Sequence, residues 1–195
     1  MSKRLVIFTV ILIVLLVSAT VATGYYFYQQ GYRVNFSIDK RNYQTYHHES
    51  PKFSFTYDAS RFQIDLDEEE RFGESYLVGL KLPSDSRVGC DVRVVDGNIK
   101  FKDTAQETGS LISKQISEGA EFFKSGNYGF IQIGVEKALS MEITVGGPLG
   151  ELLRTDQVFV SHLDKTYTLM CGTSQGVYDY FADDFAHFFE TFSWE

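Results

Sequence analysis

Residues 5–23, LVIFTVILIVLLVSATVAT, constrain this chain more than any other stretch, because they form an uncharged run of 19 residues. As a helix rising about 1.5 Å per residue, such a run spans about 28 Å, one hydrocarbon core. Inside a bilayer every backbone N–H and C=O must be satisfied within the segment, so a helix is the form it takes. Lys3 and Arg4 precede the run, and Tyr25, Tyr26, Phe27 and Tyr28 follow it. The basic end stays in the cytoplasm and the aromatic cluster suits the opposite interface. The expectation is a single-pass anchor over residues 1–28, with the remainder extracytoplasmic, in a periplasm or at a cell surface. A cleaved signal peptide shares the basic start, but its apolar core runs about 7–15 residues and ends at a small-x-small site. Around residues 19–23 that site is interrupted by β-branched Thr20 and Val21, and no cysteine follows the run to carry a lipid.

Removing residues 1–28 leaves 16 basic and 26 acidic residues, a formal charge of −10. Such a surface is unsuited to nucleic acid or anionic lipid. A hydrophobic content of 44% and an aromatic content of 15% suit a packed globule and not a disordered chain. The length suits one domain over residues 51–195, with residues 29–50 read as a stalk or a first strand. Cys90 and Cys171 are the two cysteines. In an extracytoplasmic compartment, where disulfides persist, they are expected to pair.

Alternation marks strands at residues 53–57, 62–66, 76–82 and 88–94, with DEEER at 67–71 as a solvated loop. Thr104 and Glu107 have capping-box spacing, and Ile112, Ile116, Ala120 and Phe123 follow on one helical face, which Gly126 closes. Residues 128–134, 137–145 and 152–171 alternate again, with turns at 146–148 and 163–165. A second helix presents Tyr178, Phe181, Phe185, Phe188 and Phe189, and Phe192 and Trp194 form a last short strand. The pattern predicts an α+β domain, a layered α/β/α sandwich in which two helices cover a mostly antiparallel sheet.

Gly172-Thr173-Ser174-Gln175-Gly176 is a formal G-x-S-x-G between a strand and a helix, the setting of a nucleophile elbow. A working serine needs a base oriented by an acid. His187, the sole histidine after Ser174, stands on the helix leading away, so the motif reads instead as a turn in which Thr173 or Ser174 caps that helix. His162, His47 and His48 are the remaining histidines. His47-His48-Glu49 is a poor metal site, since neighbouring side chains on a strand point to opposite faces. Asp179, Asp183, Asp184 and Glu190 read as the solvated side of the last helix. No cofactor motif is present: the glycines of residues 146–150 lack the Lys and Ser/Thr of a phosphate loop.

KFSFTYDASRF at 52–62, YLVGLKLP at 76–83, DVRVV at 91–95 before a long helix, TVGGPLG at 144–150 and the ending TYTLMCGTSQGVYDYFADDFAHFFETFSW together resemble the PsbP-like fold. That fold serves the extrinsic photosystem II subunit, Ran-binding Mog-type proteins and bacterial envelope lipoproteins. The resemblance implies a non-enzymatic domain that docks to a larger partner, here an envelope or membrane protein. It transfers no site residue. Binding of a small ligand, lipid or glycan in a crevice beside the sheet is the alternative, and a hydrolase at Ser174 the remote one.

Overall fold

Alternation along the strands translates into two antiparallel sheets. The computed structural model describes residues 41–66, 75–117, 122–146 and 152–195, all within one compact unit, Arg41–Glu195. The anchor over residues 1–28, the strand-like residues 34–38, the DEEER loop and the glycines 147–150 lie outside the described residues. Among the described residues, no helix is long and apolar enough to cross a membrane.

Strands β1 (Tyr43–Glu49), β2 (Lys52–Asp58), β3 (Gln63–Asp65), β4 (Ser75–Leu82) and β5 (Asp85–Asp96) come first, followed by helix α1 (Ala105–Ile116). Strands β6 (Phe123–Ile133), β7 (Glu136–Gly146), β8 (Leu152–His162) and β9 (Lys165–Ser174) follow. A 3-10 turn, Gln175–Val177, then leads into helix α2 (Tyr178–Thr191) and strand β10 (Ser193–Trp194). Seven strands form one sheet in the order β3-β4-β5-β9-β8-β7-β6, and three form a smaller one in the order β1-β2-β10. The expected single sheet is thus joined by a second. The unit extends from Arg41, with β1 paired along its whole length to β2.

Register places Val78, Leu80, Cys90, Val92, Leu169, Cys171, Val158 and Val160 on one face of the large sheet. Helix α2 packs there. Its period-3.6 apolar face buries Tyr178, Phe181, Phe185 and Phe188, and β2 adds Phe53 and Phe55. The Phe55 and Phe188 rings stand 4.8 Å apart and those of Phe53 and Phe192 5.1 Å apart, so aromatic contacts bind α2 to the small sheet. Each fully buried phenylalanine contributes about 1.5–3 kcal/mol through the water it sheds. The opposite face carries Leu139, Met141, Ile143 and Phe159, covered by Ala105 and Ile112 of α1 together with Ile99 and Phe101. The layers are α1, the large sheet, then α2 backed by the small sheet.

Thr104 caps α1 as its spacing predicts, its Oγ1 accepting from the Glu107 N–H at 3.2 Å. The helix itself is shorter than expected. It ends at Ile116, while Phe123 and Gly126 belong to β6, and Ile116 is 40% exposed. Phe123 pairs with Val145 in the sheet instead of extending the helical face. Thr108, Gly109 and Ser113 are its buried residues, and a Cβ built on Gly109 lies 2.0 Å from the ring of Tyr128. The helix approaches the sheet so closely that only glycine fits at that position.

Candidate functional site

Cys90 and Cys171 stand opposite one another across β5 and β9 in the middle of the large sheet, and they are joined as a disulfide. Both are buried. Above them, α2 and the start of the small sheet enclose a cleft lined by Tyr43, Tyr57, Asp58, Cys90, Asp184 and His187, among others. Its free volume is about 10 Å³. That is room for about one water molecule, against about 300–1,000 Å³ for a small-molecule site.

The cleft's two carboxylates have distinct surroundings. Asp58 ends β2, where one oxygen accepts from the Asn42 N–H at 3.0 Å, the Ser60 N–H at 3.0 Å and the Ser60 hydroxyl at 2.5 Å. Burial opposes its ionisation, but these donors and Arg61 outweigh burial and hold its pKa below the usual value. Asp184 pairs with Arg61. For Asp184 burial wins over the attraction of Arg61, and its pKa is raised. The expectation that Asp184 faces solvent is therefore corrected. It lies three residues after Phe181 and four before Phe188, so helical periodicity turns it inward with them, and it is 8% exposed. Asp179 and Asp183 do face solvent, with side chains 95% and 88% exposed, and reach Arg154 at 3.4 Å and Arg41 at 3.7 Å.

A second polar cluster sits where α2 begins. The Tyr178 hydroxyl donates to Asp156, the Arg154 guanidinium lies 4.0 Å from the Tyr178 ring centroid, and Arg154 pairs with Glu142 at 3.0 Å. Burial raises the pKa of both Asp156 and Tyr178, and the carboxylate beside the phenol raises the latter further. The phenol therefore stays protonated and acts as a donor. The cluster has a signal in the sequence. Arg154 and Asp156 fall in step with the buried Val158 and Val160, a period-2 pattern that turns two charged side chains toward the covered face.

Ser174 ends β9 and precedes the 3-10 turn, with no side-chain capping bond, so the expected cap is not formed. Each histidine is held by other residues. His162 pairs across from Lys165, the first residue of β9, and Ser174 is the last, about 30 Å away along the strand. His162 instead meets Glu136 at 2.7 Å and stacks on Trp194 with ring centroids 4.1 Å apart. His187 lies 2.7 Å from the Thr56 hydroxyl and 4.2 Å from the Tyr43 ring centroid. His47 contacts Glu195 at 2.6 Å, while His48 stacks on Phe53, so the two neighbours point apart as strand geometry requires. Among the described residues no three metal-ligating side chains converge. The histidines thus hold the small sheet and the chain end in place.

No protein-family model matches the chain, and no curated protein matches it. Solved structures do. Cyanobacterial PsbP from Synechocystis sp. PCC 6803 superposes with a TM-score of 0.59 over 82% of this chain and 96% of that one, at 13% identity. The Ran-binding protein Mog1p of Saccharomyces cerevisiae superposes with a TM-score of 0.50 over 78% of this chain and 95% of that one, at 7% identity. At these identities the likeness is one of fold, and the fold of this chain is PsbP-like.

Proposed function

We propose that this protein is a non-enzymatic accessory domain, tethered to a membrane by residues 5–23, that docks through its surface to an envelope or membrane protein outside the cytoplasm. The likeness of fold to cyanobacterial PsbP and to a Ran-binding protein supports a binding role. Fold alone does not give function, so the site must carry the rest. The observation that carries it is that each histidine is held by contacts with residues other than Ser174. The disulfide between Cys90 and Cys171 supports an oxidising compartment. The cleft beside it supports surface binding over capture of a small ligand, since its volume is well below that of a ligand site.

Complementation of a deletion strain tests this. Ser174→Ala, His162→Ala and His187→Ala, each expressed at native level, are expected to restore the phenotype to the extent that each is folded and abundant. Loss of complementation by Ser174→Ala at normal abundance and unchanged melting temperature contradicts the proposal and restores the hydrolase.

A further inference from the structure

Among the described strands β10 is the shortest, two residues at one edge of the small sheet, paired to β2 at Ser193↔Ser54 and Trp194↔Phe53. So short a strand has few backbone bonds, and its hold comes from side chains. Trp194, the one tryptophan of the chain, packs on Tyr167 and Phe192 with ring centroids 4.8 Å and 5.1 Å away. It lies flat on His162, with centroids 4.1 Å apart and planes 5° from parallel. Through Nδ1, His162 also meets one Glu136 oxygen at 2.7 Å, and the second Glu136 oxygen is buried without a protein partner. The His162 and Glu136 side chains are 20% and 23% exposed, so solvent screens this pair little. The imidazole thus sits between a carboxylate and an indole face, and both favour a cation.

We propose that protonation of His162 fastens β10 to the body of the domain, so that the last strand is held more tightly in mild acid than in mild alkali. Histidine is the side chain whose charge changes between about pH 5 and 8. A protonated imidazole pairs with the Glu136 carboxylate and is drawn to the electron-rich face of Trp194. A neutral one keeps the hydrogen bond and loses both attractions. A cation favoured by folding stabilises the fold at low pH, and that contribution fades as pH rises through the imidazole range. The other groups around His162 do not cancel it. Lys165, opposite His162 across the hairpin, opposes its charge, but the Lys165 ammonium lies 3.7 Å from Asp96. Asp164, in the turn between them, accepts from the Asn98 amide at 3.1 Å. Tyr167, its ring centroid 6.3 Å from that of His162, has its pKa raised by burial and stays neutral in this range. His47 and Glu195 make a second pair at the chain end, at 2.6 Å, but it is exposed enough for salt to screen. When β10 lifts, it uncovers the edge of β2, so pH sets how often that edge is open. The device goes beyond the docking function and does not depend on it.

Hydrogen exchange at the Trp194 indole N–H, in the full chain in detergent, tests the proposal. That nitrogen is buried, so it exchanges when β10 opens, and a single tryptophan gives a single indole signal. With each rate divided by that of free indole at the same pH, protection is expected to fall about two- to fivefold between about pH 5.5 and pH 8, the worth of a cation on an aromatic face. His162→Gln keeps a donor and loses the titration, so its protection is expected to be equal at both pH values. His187→Gln, on another element, is expected to keep the fall. Should His162→Gln fail to fold, Glu136→Gln, which removes the carboxylate charge facing the imidazole, takes its place and is expected to shrink the fall. Protection that is constant across that range, or a fall undiminished in the folded variant at His162 or Glu136, overturns the proposal.

Discussion

Asp58 is 3% exposed, yet its pKa is held down, because three donors, two from Ser60 in its own turn and the Asn42 N–H from before β1, converge on one of its oxygens. A carboxylate whose pKa is lowered on folding stabilises the fold above its ordinary value of 3.8, and that stabilisation is lost as pH falls through the lower folded value. Asp58→Asn keeps the size and loses the charge. It is expected to lower stability by about 1–3 kcal/mol at pH 7, with the gap from wild type closing in urea melts taken below about pH 3.8. Leu163 presents the opposite case. It stands at φ 49°, next to Asp164 at φ 61°, in the β8–β9 hairpin turn, and its side chain is 77% exposed. Two positive φ values suit Asn and Gly, and leucine there strains the backbone without gaining burial. Leu163→Asn is expected to raise stability by about 0.5–1 kcal/mol in the same melts, and a loss of stability shows that the leucine packs.

Among the elements, the disulfide joins directly opposed residues of β5 and β9, 81 positions apart in sequence. By chain entropy a loop of that length stabilises the fold by about 4–5 kcal/mol. The Cys90→Ala/Cys171→Ala double variant is expected to fall short of wild type by nearly that much, and equal melting curves contradict it. Most elements were legible because a single period dominated each. Strands β4, β5 and β9 and helix α2 place apolar residues at steps of two or of three to four, and the core lies where those steps predict. Helix α1 is shorter than its pattern because Phe123, in step with Ile112 and Ile116, pairs with Val145 in the sheet, and its buried face of Thr108, Gly109 and Ser113 carries no hydrophobic signal. For Asp184 the charge points to solvent and the helical position between Phe181 and Phe188 points inward, and position wins. The Arg61–Asp184 and Arg154–Glu142 pairs join residues far apart in the chain, and no local pattern announces such partners.

At the scale of the whole molecule, a PsbP-like unit follows an uncharged run of 19 residues long enough to cross a bilayer. On the proposed reading, a tether of that kind would confine the domain to a surface, where a weak interface with a membrane-bound partner would stay occupied through high effective concentration. An enzyme acting on a diffusible substrate gains no such advantage. The most direct test replaces residues 1–28 with a cleavable export signal, so that residues 29–195 are released into the same compartment, and measures complementation of a deletion strain against expression level. The account predicts loss of function at native abundance and partial recovery on overproduction. Full complementation by the released domain at native abundance contradicts it.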